Sequence, residues 1–123
     1  MDRDELEKRT KRFALDIVGL VKHTQKDKAS DVTGYQLLKS ATSIGANYRE
    51  ATRVESNADF VYKLGVVQKE ADETVYWLEL VRESGLTRGE DVPRLLSEAR
   101  ELPSIFGASH KTASRKWTSI ART

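Results

Sequence analysis

Cysteine is missing from this chain of 123 residues, and proline and glycine are scarce, with two and seven residues. The absence of cysteine excludes disulfide bonds, a thiolate nucleophile and zinc sites built on cysteine. Few prolines and glycines leave long stretches free to be helical, because these residues are the strongest helix breakers. With 38% hydrophobic and 33% charged residues, the composition is typical of amphipathic helices around one core, and the length fits a single domain.

Long hydrophobic runs are also missing. The longest apolar run, residues 17–21 with Gly19 inside it, is far shorter than the roughly 20 residues needed to cross a bilayer. The first five residues, Met-Asp-Arg-Asp-Glu, contain no hydrophobic core of a signal peptide. We therefore expect a cytoplasmic protein with no membrane partner, which the lack of cysteine also favours.

Neither sign of charge dominates the chain, since 21 basic and 19 acidic residues give a net charge of +2. The distribution is uneven: residues 1–28 carry 8 basic and 6 acidic groups, residues 29–99 carry 8 and 12, and residues 100–123 carry 5 and 1. Strong nucleic-acid binders usually present a broad basic face. The excess at the C-terminus is therefore a weak indication of a polyanion partner.

The C-terminal stretch nevertheless combines features of a nucleic-acid contact. Lys111, Arg115 and Lys116 stand beside Trp117, and such cations bind phosphates while an indole stacks on an unpaired base. A second interpretation is a helix end whose cations favour the C-terminal dipole. In either case we expect residues 111–123 to form a basic, partly flexible tail.

Apolar residues recur at intervals of three and four along four stretches, which is the period of amphipathic helices. The first stretch runs from about Asp4 to Gln25. A polar break follows, and Ser30 or Asp31 is the expected N-cap of a second helix that ends near Val54. The inward positions of these two helices are Leu6, Phe13, Ile17, Leu20, Leu37, Leu38, Ala41, Ile44, Tyr48 and Ala51.

The third stretch has the most regular period in the chain. Ser56 is its expected N-cap, and Gly85 its expected left-handed C-terminal residue. A capping box over residues 87–90 should start the fourth helix, in which Pro103 should cause a kink because it removes a hydrogen bond to Ala99. The inward positions of these two helices are Phe60, Leu64, Val67, Ala71, Thr74, Leu78, Val81, Val92, Leu95, Ala99, Leu102, Phe106 and Ala113.

Four helices joined by short connections pack most simply as a bundle of antiparallel neighbours. No stretch shows the period-two alternation that is typical of a strand. The sequence therefore predicts an all-α fold, an antiparallel up-down-up-down four-helix bundle, with residues 1–123 in a single domain.

Polar residues near the inward positions of the second and third helices are expected to form a structural cluster. Its predicted members are Asn47, Glu50, Glu70 and Glu73. Carboxylates on facing helices can hold a metal, but the paired Glu-x-x-His motif of di-iron bundles is missing. We expect the acids to form ion pairs with Arg49, Arg53 or Lys69, either across the bundle or across a subunit contact. The amide of Asn47 should bind a backbone group or its symmetry mate.

No catalytic constellation is present in the sequence. There is no glycine-rich phosphate loop, no Gly-x-Ser-x-Gly elbow and no nucleophile–base pair, and His23 and His110 each stand alone. We therefore predict a protein that is not an enzyme, with no cofactor, no metal and no small-molecule substrate. A carboxylate metalloenzyme is the weakest alternative.

A second stripe runs along the third helix beside its core positions. It consists of Val66, Glu70, Glu73 and Trp77, with Tyr62 and Tyr76 next to it. Aromatic side chains among charged groups are typical of subunit contacts. We predict an oligomer interface at Tyr62, Val66, Tyr76 and Trp77, with burial against the protomer's own helices as the alternative.

The second and third helices also carry the residues of a known family. Residues 40–51 read Ser-Ala-Thr-Ser-Ile-Gly-Ala-Asn-Tyr-Arg-Glu-Ala, and they are followed in order by Ser56, Asp59-Phe60, Lys63-Leu64, Lys69-Glu70-Ala71, Glu73-Thr74 and Tyr76-Trp77-Leu78. This region resembles the bacterial four helix bundle protein family, also called the 23S ribosomal RNA intervening-sequence protein family. The resemblance implies a four-helix protomer, a homopentameric ring and a cytoplasmic protein of unsettled role.

Two functions are compatible with these features. The first is a non-enzymatic, self-assembling scaffold whose ring recruits another macromolecule. The alternative is a nucleic-acid-binding accessory protein whose basic termini collect around the ring, where several copies of a small positive charge add up.

Overall fold

Four α-helices form the bundle. The computed structural model describes residues 1–87, 89 and 91–122, with side chains up to residue 120. The helices are α1 (Arg3–Lys22), α2 (Lys28–Ala51), α3 (Asn57–Ser84) and α4 (Asp91–Arg122). Each helix packs against its neighbours in the chain, α1 also meets α4, and no strand occurs in the described ranges. The predicted all-α four-helix bundle is therefore confirmed.

The start of α2 differs from the prediction. Its N-cap is Asp27, whose carboxylate accepts a hydrogen bond from the backbone N–H of Ser30 at 2.8 Å. The expectation of a cap at Ser30 or Asp31 is therefore wrong. Ser30 lies inside the first turn and is 1% exposed. The first turn contains no apolar side chain larger than alanine, so the periodicity that predicts the helix begins one turn too late.

Both ends of α3 agree with the prediction. The hydroxyl of Ser56 accepts the backbone N–H of Asp59 at 3.1 Å, and Gly85 ends the helix with a φ of 71°, a conformation that favours glycine. Residues 88 and 90 of the predicted capping box lie outside the described residues. The structure runs α4 through Pro103 as one helix, and the kink there stays a prediction.

The core agrees closely with the predicted inward positions. The fully buried positions of α3 are Leu64, Val67, Ala71, Thr74, Leu78 and Val81, while Phe60 and Leu38 are only partly buried. Six of the buried residues that the structure describes are not among the predicted inward positions: Thr10, Ser30, Thr33, Gly34, Ser40 and Leu96. Thr10 is tolerated in the core because its hydroxyl donates to the carbonyl of Leu6 at 2.8 Å.

In two helix pairs, the neighbouring helices approach each other closely at a glycine. A Cβ atom added at Gly45 of α2 would lie 3.1 Å from the hydroxyl of Thr10 in α1. One added at Gly107 of α4 would lie 2.9 Å from the side-chain amide of Gln68 in α3. Glycine therefore permits the observed packing at Gly45, whereas at Gly107 the flexible end of the Gln68 side chain could move aside.

Ion pairs fix the antiparallel register of the more loosely packed pair, α1 and α4. The guanidinium of Arg9 donates to both carboxylate oxygens of Glu98, at 2.8 and 2.7 Å, and also contacts Glu101. Because all neighbours are antiparallel, the start of α1, the end of α2, the start of α3 and the end of α4 lie together. We call this the C-terminal end of the bundle.

Candidate interaction surfaces

One long face of α3 contains aromatic and acidic side chains beside the core stripe. It consists of Tyr62, Val66, Glu70, Glu73, Tyr76 and Trp77, and we call it the α3 face. Tyr62 and Tyr76 are 70% and 57% exposed, whereas Val66 and Trp77 are partly covered. The protomer's own helices therefore cover part of the Val66 and Trp77 side chains, as in the alternative interpretation of this stripe. Both tyrosine side chains remain exposed.

The indole of Trp77 is oriented unusually for a surface residue. Its ring packs edge-on against Tyr76, with ring centroids 5.0 Å apart and an interplanar angle of 79°. The indole N–H is shielded from solvent and has no hydrogen-bond partner among the described residues. A tryptophan at a permanently wet surface usually turns its N–H toward water. Here the part of the side chain that solvent reaches is hydrocarbon.

Glu70 and Glu73 lie one turn apart on the α3 face. Neither forms an ion pair with any residue that the structure describes, so the predicted pairing with Arg49, Arg53 or Lys69 is not observed within the protomer, and pairing across a subunit contact stays a prediction. Burial and the nearby carboxylate of Glu73 raise the pKa of Glu70. The two acids therefore form an incompletely compensated negative site in the isolated protomer.

Glu50 does not join these acids. Its carboxylate binds the amine of Lys63 in α3 at 2.7 Å. Lys63 precedes Glu70 by two turns, which is about 10 Å along the helix axis. The expected three-carboxylate cluster therefore does not form, because the antiparallel register aligns Glu50 with an earlier part of α3.

Asn47 also has a local partner. Its side-chain amide donates to the backbone carbonyl of Ser43 in the same helix at 2.8 Å. This is a backbone group, as expected, but it does not link Asn47 to the acids of α3. Across the described ranges, no group of three or more histidine, cysteine, aspartate or glutamate side chains could hold a metal ion.

The basic C-terminal stretch is helical as far as the structure describes it. Residues 111–122, which we call the α4 tail, are the last three turns of α4. Lys111, Arg115 and Lys116 are exposed and form no ion pair with a described residue, and Trp117 is 39% exposed. The four candidate nucleic-acid contacts therefore all lie in the last three turns of α4.

A surface groove between α1 and α2 is not predicted by the sequence. It has a volume of about 370 Å³, with small residues in its lining, among them Gly45. Three basic residues, Lys8, Lys11 and Arg49, and two acidic ones, Asp4 and Glu7, also line it, and the three basic residues form no ion pair in the described part of the chain. In the sequence, the groove is indicated only by the two lysines, which lie one turn apart on α1. Arg49 is far from them in the sequence and comes beside them only because α2 packs on α1.

The folded bundle has a basic and an acidic end. Among residues with described side chains, the C-terminal end, formed by residues 1–12, 40–70 and 107–120, has 12 basic and 8 acidic side chains. The opposite end, formed by residues 13–39 and 71–106, has 7 basic and 10 acidic ones. The antiparallel topology therefore brings both basic termini of the chain to one place.

These features define the class of the protein. It is an all-α four-helix-bundle protein with an exposed aromatic and acidic face, and its described residues contain no metal-binding cluster. The sequence profile of the 23S rRNA-intervening sequence protein family matches residues 4–108. The chain belongs to this family.

A solved structure agrees with this assignment. It is the 1.70 Å crystal structure of a protein of unknown function from the S23 ribosomal protein family of Bacteroides thetaiotaomicron VPI-5482. It is 35% identical to this chain, with a TM-score of 0.80, and the match covers 90% of this chain and 99% of that one. No curated protein matches the chain. Neither description attributes an enzymatic activity.

The helices also bear on membrane insertion. In the part of the chain that the structure describes, no helix combines the length and the apolar composition that crossing a bilayer requires.

Proposed function

We propose that this protein is a cytoplasmic, non-enzymatic scaffold that assembles into a homopentameric ring and recruits another macromolecule. The α3 face is the observation that carries this proposal. Exposed tyrosines flank an indole whose N–H is turned away from solvent, so hydrocarbon is presented outward. Aromatic residues are enriched in protein–protein interfaces, and a protein surface that binds nothing rarely keeps such a patch.

Two further features support an assembly. Glu70 and Glu73 form no ion pair in the described part of the protomer, where Lys39 and Lys69 act on Glu70 only at a distance, and a second copy could supply closer cations. The family resemblance implies five copies.

Light scattering after gel filtration tests the proposal. We expect the wild-type protein to have about five times the 13.9 kDa mass of one chain. Tyr76→Glu should reduce the mass to that of a single chain, because it places a charge on an exposed contact residue. Leu15→Glu is the matched control, since Leu15 is 61% exposed on α1. A wild-type protein that stays a monomer at micromolar concentration contradicts the proposal.

Nucleic-acid binding is a second candidate function. The observation in its favour is the collection of both basic termini at the C-terminal end of the bundle, where Lys8, Lys11 and Arg49 line a groove. Because no element here reads bases, such binding would rest on phosphate contacts and would tolerate many sequences.

Fluorescence anisotropy with a labelled single-stranded RNA tests this second function. Affinity should fall steeply as salt rises, because bound cations release counterions from the phosphates. Lys8→Glu/Lys11→Glu should weaken binding, whereas Lys26→Glu/Lys28→Glu at the opposite end should leave it unchanged. If the wild-type protein does not bind at tens of micromolar, only the scaffold proposal stands.

A further inference from the structure

The fourth helix is longer than the helices that cover it. It has 32 residues, which is about 48 Å, whereas α1 has 20 residues, about 30 Å. The ion pair of Arg9 with Glu98 sets the register of the two helices. Counting back from it places Arg3, the first residue of α1, beside about residue 104 of α4. Roughly the last five turns of α4 therefore extend past the start of α1.

The core-facing stripe of α4 continues into the α4 tail. Phe106, Ala113 and Trp117 follow one another at spacings of seven and four, so they lie on one side of the helix. Phe106 is 0% exposed, Ala113 is partly buried and Trp117 is 39% exposed. The α4 tail thus keeps the apolar face of a buried helix where the bundle no longer covers it fully.

The opposite side of the α4 tail is positively charged. No acidic residue follows Glu101 in the sequence. Lys111 and Arg115, one turn apart, are exposed and make no ion pair within the described ranges. The α4 tail is therefore a short amphipathic helix, basic on one side and partly apolar on the other.

The α3 face offers complementary chemistry. Residues 66–84 of α3 contain five acidic and two basic side chains. Glu70 and Glu73 form no ion pair with a described residue, and beside them Tyr76 and the hydrocarbon part of Trp77 are open to solvent. A partner for this surface should be basic and should carry an aromatic or aliphatic group.

Within its own protomer, the α4 tail is too far along the bundle to reach Glu73 of the α3 face, although Tyr62 and Val66 at the start of that face lie closer to it. It lies beside Phe60 near the start of α3, where both helices line a shallow groove. Glu73 lies 13 residues further along α3, which is about 20 Å. We propose that the α4 tail of one copy binds the α3 face of a second copy. In this contact Lys111 and Arg115 meet Glu70 and Glu73.

Apolar groups complete the contact. The hydrocarbon stems of Lys111 and Arg115, which lie on the same side of the α4 tail as their charges, cover the exposed hydrocarbon of Tyr76 and Trp77 in the next copy, and Trp117 on the opposite side takes no part. This inference rests on the proposed self-assembly and specifies which surfaces meet.

Such a contact joins two different surfaces and is therefore heterologous. Each copy has one α4 tail and one α3 face, so every copy binds two neighbours, and the chain of contacts closes into a ring or continues as a filament. A ring with an odd number of copies requires a contact of this kind, because isologous contacts join copies in pairs.

A charge-swap series measured by light scattering at low salt tests the proposal. The tail variant is Lys111→Glu/Arg115→Glu, and the face variant is Glu70→Lys/Glu73→Lys. Each should shift the protein from the oligomer to the 13.9 kDa chain. The variant with all four substitutions should recover the oligomer, because attraction is restored with reversed signs. Lys8→Glu/Lys11→Glu is the control with equal charge change and should keep the wild-type mass.

The outcomes separate this inference from the proposed function. A monomeric wild-type protein removes both. An oligomer that survives in the tail variant leaves self-assembly in place and overturns the tail contact. If both double variants are folded by circular dichroism and monomeric, but the fourfold variant stays monomeric, the two surfaces do not meet. A tail variant that keeps its mass and loses RNA binding identifies the α4 tail as a nucleic-acid site instead.

Discussion

The two contacts that α4 makes with its neighbours are built differently. Toward α3, apolar side chains interlock and Gly107 lies against the Gln68 side chain. Toward α1, the contact depends more on charge, since Arg9 binds Glu98 and Arg94 reaches Asp16 at 3.3 Å. Apolar burial stabilises a fold regardless of salt, whereas ion pairs at the surface contribute little and depend on salt and pH. The difference indicates that α3 organises the bundle and that charge mainly sets the register of α1.

The largest expected effect lies in α3. Leu64→Ala and Leu78→Ala should each lower the free energy of unfolding by about 2 to 5 kcal/mol, because both side chains are no more than 1% exposed and truncation leaves a cavity. Urea unfolding followed by circular dichroism measures this. Leu80→Ala is the control, since Leu80 is 37% exposed on the same helix. Losses below about 0.5 kcal/mol in the buried variants would contradict the central role of α3.

Removing the α1–α4 ion pair should cost less. Arg9→Met should lower the free energy of unfolding by about 1 kcal/mol, because the charged hydrogen bonds to Glu98 are lost from a site that is still about a quarter exposed. The loss should shrink at high salt. Arg100→Met, which removes the more exposed pair with Glu79, is the control and should cost below about 0.5 kcal/mol. Equal losses in the two variants would show that the α1–α4 contact has no special role.

The Arg9 effect should also depend on pH. The hydrogen bond from Arg9 lowers the pKa of Glu98, against the opposing effect of burial. A carboxylate with a lowered pKa stabilises the folded state above its ordinary pKa, near 4.5, and loses this contribution as pH falls through the folded value. The difference between wild type and Arg9→Met should therefore be full at neutral pH and should diminish below about pH 4.5.

Two glycine substitutions compare the tightness of the α1–α2 contact with an open site on α1. Gly19→Ala should raise the free energy of unfolding by up to about 1 kcal/mol, because alanine favours the helix and nothing lies within 4 Å of the added Cβ. Gly45→Ala should gain less or lose, because its Cβ would crowd Thr10, whose hydroxyl is held by Leu6. Thermal unfolding of both variants measures the two changes in stability. A larger gain in stability at Gly45 than at Gly19 would show that α1 can shift to accommodate the added Cβ.

The smallest expected effect is a slight gain in stability when the charge of Glu70 is removed. A raised pKa means that folded Glu70 binds its proton more tightly, so ionised Glu70 destabilises the fold increasingly as pH rises above about 4.5. Glu70→Gln should raise the free energy of unfolding at neutral pH by less than about 0.5 kcal/mol. The measurement should be made in the Lys111→Glu/Arg115→Glu variant, because we expect it to be monomeric and a second copy then does not contact Glu70. Glu83→Gln in the same variant is the control. A lower stability there would show that attraction to Lys39 and Lys69 outweighs the burial of the Glu70 carboxylate.

The helices themselves were predictable to different degrees. The uninterrupted stripe from Leu64 to Val81 predicted α3 and its core, because periodicity is strongest where both neighbouring helices cover the same face. The first turn of α2 was missed, because Asp27 caps a turn with no large apolar side chain. Thr10 was not assigned to the core, because a hydroxyl is buried only when a local partner, here the Leu6 carbonyl, satisfies it.

Pairing across helices was less predictable than burial. Of the three acids expected to form ion pairs, Glu50 does so within the protomer. Its partner is Lys63 and not one of the predicted residues, Arg49, Arg53 or Lys69. Long charged side chains reach several positions on a neighbouring helix. A shift of one turn in register, about 5 Å, is enough to exchange their partners.

By itself, the sequence determined that this chain folds as a four-helix bundle and which faces are buried, because both follow from local periodicity, caps and the hydrophobic effect. The packing of the helices sets which charges meet: Arg9 pairs with Glu98 across α1 and α4, and both basic termini lie at one end of the bundle. These depend on helix register and on the relative lengths of α1 and α4. Such quantities arise from packing between distant segments and leave no periodic signal in the chain.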